Sequence, residues 1–145
     1  MVDPIRARSL LARNRGYRRY LDRLSERSDE ELLGDFVAMG AVHHYLLLLI
    51  ESALDLASHA ISSQGWEPPA SYADTFRVLK EEGVIPSGLA VRLMAMARFR
   101  NLLVHHYAEV DDVQVIQILR GELDDVDALV EAIRHRFRSD LEEGG

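Results

Sequence analysis

The chain contains no cysteine, so a disulfide framework, a thiolate metal site and a thiol nucleophile are all excluded, and a reducing cytoplasm suits it. Proline is scarce, with 4 residues, and glycine accounts for only 9 of 145, too few for a disordered or fibrous chain. The arginine-rich start carries no uninterrupted apolar stretch of the kind that directs secretion, and no export is expected. The longest apolar run, 46–50, is stopped by Glu51 and Asp55. That is far short of the roughly 20 residues that cross a bilayer, so it reads as core and no membrane partner is expected. No segment alternates with a period of two, and no internal repeat is visible, which removes sheet-based and solenoid folds.

What is present is enough apolar material for one compact domain: 48% hydrophobic residues over 145 positions. The net charge of −7 is unevenly spread. Residues 1–27 hold eight arginines (6, 8, 13, 15, 18, 19, 23 and 27) against Asp3, Asp22 and Glu26, a net +5 that leaves −12 on the remainder. Such a block is more often the solvated face of a helix, although a basic arm on an acidic body can also hold RNA.

Asp3 and Pro4 supply an N-cap and a first-turn proline for a helix over 4–24. Its apolar marks, Ile5, Leu11, Tyr20, Leu21 and Leu24, are sparse and Gly16 interrupts it, so it is expected to be the least firmly packed element. Ser28 and Glu31 form a capping box. The helix that begins there is expected to bend near Gly34 or Gly40 and then to present Val42, Leu46, Leu49, Ile50, Ala53, Ala57 and Ile61 at helical spacing, the pattern of a central helix. Glycine and two prolines within 64–69 end it. A short helix over 72–82 turns Phe76 and Leu79 inward and stops at Gly83. Ser87 then caps a helix reaching about 107–108, and a last helix from 111–112 carries an apolar stripe through Leu141, loosened at Gly121. The expected fold is all-α: a single domain over 1–145 built as an antiparallel four-helix bundle with one additional short helix.

Along the fourth helix, Leu93, Met96, Arg100, Leu103 and Tyr107 fall at offsets of three and four. Arg100 therefore occupies a core position and must face a carboxylate or a cleft, because an unpaired buried guanidinium costs several kcal/mol. Spacing alone leaves open a structural Arg–Glu pair and a functional site. Asn101 and His105 lie four apart on one face, so the amide is placed to orient the imidazole. Arg100 and His105 are five apart and point about 140° from one another on an ideal helix. Bringing them together needs the frayed end of the helix or a second copy of the chain.

The stretch Arg100-Asn101-Leu102-Leu103-Val104-His105-His106-Tyr107 resembles the Arg-x4-His-x-Tyr signature of the HepT group of HEPN ribonucleases. The segments 50–59 and 83–86 resemble that group's second helix and a turn, and the similarity extends over essentially the whole chain. The resemblance implies the toxin of a type VII-like toxin–antitoxin system, a metal-independent RNA endonuclease acting as a symmetric homodimer in the cytoplasm, with no cofactor. RNA carries its own nucleophile, so the chemistry needs only a base, an acid and cationic stabilisation of the phosphorus, and the product is a 2′,3′-cyclic phosphate. Arg100 and His105 are the implied catalytic residues. Asn101 is assigned to orienting His105, and Glu51 or Asp55 to partnering Arg100. Tyr107 is implied as the position that a minimal nucleotidyltransferase antitoxin modifies with AMP, adding charge and bulk where a tRNA or messenger RNA substrate enters. The alternative within the same fold is a non-catalytic helical dimer that binds nucleotide or a partner, and beyond it a helical adaptor.

Four further residues draw attention. His106 stands where an acidic residue is expected, and either adds charge to the cleft or sits on the surface. The adjacent His43 and His44 point about 100° apart and lack a His-Glu-x-x-His or cysteine set, so no metal site is expected. Trp66, beside Pro68 and Pro69, reads as a loop anchor more readily than as a base-stacking platform.

Overall fold

The computed structural model describes residues 1–143, and the last two residues of the expected 1–145 domain lie outside the described residues. All regular structure among the described residues is helical: α1 (Pro4–Leu24), α2 (Asp29–Leu33), α3 (Phe36–Gln64), α4 (Tyr72–Glu81), α5 (Ser87–His105), a 3-10 turn (Tyr107–Glu109), α6 (Asp112–Gly121), α7 (Leu123–Arg136) and α8 (Arg138–Glu143).

Helix α3 is the axis. Leu46, Leu49 and Ala57 are wholly buried, and the stripe that contains them faces α1, α5 and α7. By length and composition α3 could cross a membrane, but just over half of its most apolar window is buried inside the bundle. Helix α1 runs antiparallel to it: the Asp3 amide donates to His59 Nε2, Asn14 Nδ2 donates to Ser52 Oγ, and the rings of Tyr20 and Tyr45 lie 4.8 Å apart. Helices α7 and α8 lie antiparallel to α1 in turn, with Arg18 bonded to Asp127 and the Val2 amide to Asp140. Helix α5 packs on α3 and α7, and the short α4 lies across α5. The four-helix bundle thus consists of α1, α3, α5 and the α6–α7 pair, with α4 as the additional short helix.

Several expectations need correction, among them the cap of α5, where Ser87 is the first helical residue and no side chain caps that end. Helix α1 is not loosely held: Ala7, Leu10, Leu11, Asn14 and Leu21 form its buried face. Two residues counted as apolar marks, Ile5 and Tyr20, are exposed, whereas the buried positions include a small and a polar side chain that hydrophobicity alone does not count. The chain breaks at Gly34–Asp35 instead of bending, because the Asp35 carboxylate accepts from the Val37 and Ala38 amides and starts α3 anew; the Ala38 amide first, and Arg27 next, hold its pKa below the ordinary aspartate value. No bend occurs at Gly40, which lies inside α3. Helix α5 ends at His105, short of the expected 107–108. His106 leaves helical geometry at φ −135°, and Tyr107 enters the 3-10 turn with its ring edge-on to His43, 5.2 Å between centroids.

The expected last helix is divided at Glu122 and again at Phe137, yet Val115, Ile116, Leu119, Leu123, Val126, Leu129, Val130, Ile133 and Phe137 are all buried. Two glycines are required by conformation. Gly65 (φ 68°) closes α3 and Gly83 (φ 77°) closes the α4 turn, both in the left-handed region. Trp66 follows the first of these and packs on Phe137, 6.2 Å between ring centroids.

Candidate active site

The site is built where α5 ends beside the start of α4. Arg100 leaves α5 toward α3, and its Nη2 donates to Glu51 Oε1 at 2.9 Å. Its guanidinium carbon sits 4.6 Å from the centre of the Tyr72 ring, and Nη1 donates to Asn101 Oδ1 at 3.2 Å. The side chain is only 13% exposed, so the carboxylate and the aromatic face together compensate its burial. Nε is buried without a hydrogen-bond partner. Of a guanidinium's five N–H groups, two are therefore engaged, and one on each Nη nitrogen stays uncommitted.

Tyr72 is held for this contact by the cap of α4. Ser71 Oγ accepts from the Asp74 amide, and the Asp74 carboxylate accepts from the Ala70 amide and from Arg77. Arg77, then the Ala70 amide, holds the Asp74 pKa at about 2, and the same contact, reinforced by Glu81, raises that of Arg77. The residue that begins α4 thus stacks on Arg100 from a fixed backbone.

A cleft of about 700 Å³ opens between α4 and the end of α5. Arg98, Asn101 and His105 of α5 line it, with Ser58 of α3 and Pro69, Ser71, Tyr72 and Thr75 on the opposite side. His105 is exposed in this cleft as the final residue of α5, and His106 lines it too. The structure therefore brings Asn101 and His105 together in one cleft and sets Arg100 beside it through Tyr72 and Asn101. It does not join Asn101 to His105: the amide oxygen is taken by Arg100. Glu51 is the carboxylate on Arg100, while Asp55, one turn on, is exposed and pairs with nothing among the described residues. Tyr107 lies outside the cleft lining, 57% exposed against His43.

Sequence reasoning missed two residues. Tyr72 reads only as a helix start, because its contact with Arg100 joins positions 28 apart and no local pattern marks it. His43 reads from sequence only as a candidate metal ligand, yet it is 8% exposed with Nε2 2.8 Å from Asp112 Oδ1 and Nδ1 unbonded, and it forms the wall against which Tyr107 rests. Among the described residues no group of three or more histidines and carboxylates is placed to hold a metal ion.

Comparison with known proteins places the chain in a family. Residues 15–133 match the family described as Ribonuclease HepT-like. The chain is 28% identical over 100 residues to "mRNA nuclease HepT" of Shewanella oneidensis, covering 69% of this chain and 75% of that one. It is 30% identical over 106 residues to a "Putative RNase" of Archaeoglobus fulgidus, covering 73% and 76%. Among solved structures it resembles the tri-AMPylated Shewanella oneidensis HEPN toxin in complex with MNT antitoxin (TM-score 0.82, 22% identity, 89% of this chain and 96% of that one). It also resembles YutE of Bacillus subtilis, described as a cytosolic protein of unknown function (TM-score 0.82, 21% identity, 97% and 94%). At those identities the two structures attest the HEPN-type fold. The matched family spans most of the helical bundle, including every residue of the site, and the chain is a member of the ribonuclease HepT-like family.

Proposed function

We propose that the chain is the ribonuclease toxin of a toxin–antitoxin pair, cutting RNA without a metal ion through Arg100 and His105. The observation that carries this reading is the placement of Arg100: a mostly buried arginine oriented by Glu51 and Tyr72 at the edge of a cleft that contains an exposed histidine. A positive charge that is desolvated and fixed in advance stabilises a developing phosphorane far better than one free in water. An imidazole titrates near neutrality and can take the 2′-hydroxyl proton or supply one to the leaving 5′-oxygen. Attack of the ribose 2′-oxygen on phosphorus breaks the bond to the 5′-oxygen and leaves a 2′,3′-cyclic phosphate on one fragment and a free 5′-hydroxyl on the other.

One histidine cannot be base and acid in the same step, and Arg100 and His105 leave α5 in different directions. A homodimer that sets two Arg100–His105 pairs across a shared cleft supplies both roles. Tyr107 is exposed on the turn just beyond His105, open to a nucleotidyltransferase antitoxin. AMP added to its hydroxyl brings phosphate charge to the rim that RNA must pass and silences the nuclease. The substrate is a tRNA or a messenger RNA; one relative's name specifies mRNA.

Growth tests this reading. Expression of the chain arrests growth, His105→Ala relieves the arrest, and co-expression of an MNT-type antitoxin restores growth with AMP on Tyr107 in the recovered protein. Indifference of the host to the parent chain, recovered with Tyr107 unmodified, favours instead the non-catalytic binding role.

A further inference from the structure

The basic face of α1 is not accounted for by the fold. Of the eight arginines in 1–27, Arg18 is tied to Asp22, Asp124 and Asp127, Arg27 to Asp35, and Arg8 to the Leu141 carbonyl. The other five, Arg6, Arg13, Arg15, Arg19 and Arg23, are exposed and have no ion-pair or hydrogen-bond partner among the described residues. Their positions are ordered. Arg15, Arg19 and Arg23 recur every four residues along one stripe of α1, and Arg6, Arg13 and Tyr20 every seven along a second. Both stripes run toward a groove of about 350 Å³ between α1 and α3, lined by Tyr20, Tyr45, Arg23 and Glu26 with Leu24 and Ala41. The two tyrosine rings meet there at 42°, and Tyr20 remains 46% exposed.

We propose that this face is a single-stranded RNA subsite: the unpaired arginines of α1 hold phosphates, and the Tyr20–Tyr45 groove accepts a base. The proposal rests on RNA being the substrate class. A cationic track beside aromatic rings is the arrangement that grips single strands with little regard to sequence, since every base has a stacking face. The charge distribution favours RNA further, because 28–145 carries a net −12 and leaves α1 as the surface a polyanion can approach. Arg6 to Arg23 spans about 25 Å of helix, room for several phosphates at 3.4 Å or more per nucleotide. This subsite is separate from the cleft. Tyr45 and Glu51 are six residues apart on α3, about 9 Å along the helix and about 120° around it.

The test measures binding of a labelled single-stranded RNA 12-mer by fluorescence anisotropy at several salt concentrations. The protein carries His105→Ala, so that RNA persists, with and without Arg13→Ala, Arg19→Ala and Arg23→Ala together. Losing three phosphate contacts flattens the slope of log affinity against log salt by about 2, from about −0.7 per contact in a single strand. Tyr20→Ala weakens binding about tenfold at fixed salt and Tyr20→Phe restores it. Lysine at the three arginine positions keeps the slope, which excludes a folding defect. In the cleaving parent the triple substitution raises KM and leaves kcat unchanged.

Equal affinity and slope with and without the three arginines overturn the subsite while leaving the nuclease reading intact. Arginine-dependent binding by a chain whose parent never cleaves upholds the subsite and removes the nuclease. Arginine-dependent capture of a poly-glutamate peptide in place of RNA makes the face a docking surface for an acidic protein and overturns the proposal.

Discussion

Arg100 Nη2 lies 2.9 Å from Glu51 Oε1, which ties the arginine of α5 to the central helix and fixes where its remaining N–H groups point. Removing the charge and disordering it are different losses. Arg100→Ala is expected to lower kcat/KM for RNA cleavage by roughly 100- to 1000-fold, the scale of losing one preorganised donor to a developing oxyanion. Glu51→Gln keeps the guanidinium charged and loosens its orientation, and is expected to cost about tenfold, mostly in kcat. Initial rates on one labelled RNA decide this; equal effects of the two substitutions contradict the positioning role of Glu51.

A second pair bears on stability. Asp112 is the partner of the buried His43, whose other ring nitrogen is already unbonded. Asp112→Ala leaves the imidazole with no hydrogen bond in a nearly dry position, a loss of about 1–3 kcal/mol. Thermal unfolding is expected to show a melting temperature several degrees lower; an unchanged value shows that water replaces Asp112 at His43.

The cap of α4 gives a pH dependence with a definite sign. The Asp74 carboxyl is held at about 2 in the folded chain against 3.8 ordinarily, so the folded state resists protonation more than the unfolded one. Its stabilising contribution is complete above about pH 3.8, declines as pH falls, and is gone below about 2. Asp74→Asn is therefore expected to melt below the parent at pH 6, with the gap closing between pH 4 and 2. A gap independent of pH would remove the Asp74–Arg77 and Asp74–Ala70 contacts as its source.

How much of this was legible in sequence follows from which interactions are local. Helix periodicity marked the core because Leu46, Leu49, Leu119 and Leu129 sit on stripes that a 3.6-residue repeat reveals. The caps at Asp3 and Ser28 were likewise readable, since a cap is made by residues two or three apart. The helix end at His105 was not, because no capping residue or proline marks it, and at Glu122 the neighbouring Gly121 signalled a loosening but not a full break. At the site, spacing indicated that Arg100 needed a carboxylate or a cleft, and the family resemblance pointed to Glu51 or Asp55, one turn apart on α3. Only the fold distinguishes Glu51 from Asp55. It also reassigns Asn101, whose oxygen goes to Arg100 and not to His105, and supplies Tyr72, a contact from a helix that no pattern connects to α5.

The most direct measurement incubates the parent and its His105→Ala variant, each with Tyr107 verified free of AMP by mass, with total RNA in excess EDTA and scores both cleavage and the chemistry of the new ends. The account predicts cleavage by the parent alone, leaving 2′,3′-cyclic phosphate and 5′-hydroxyl ends. Intact RNA in both samples, or equal cleavage by both, contradicts it.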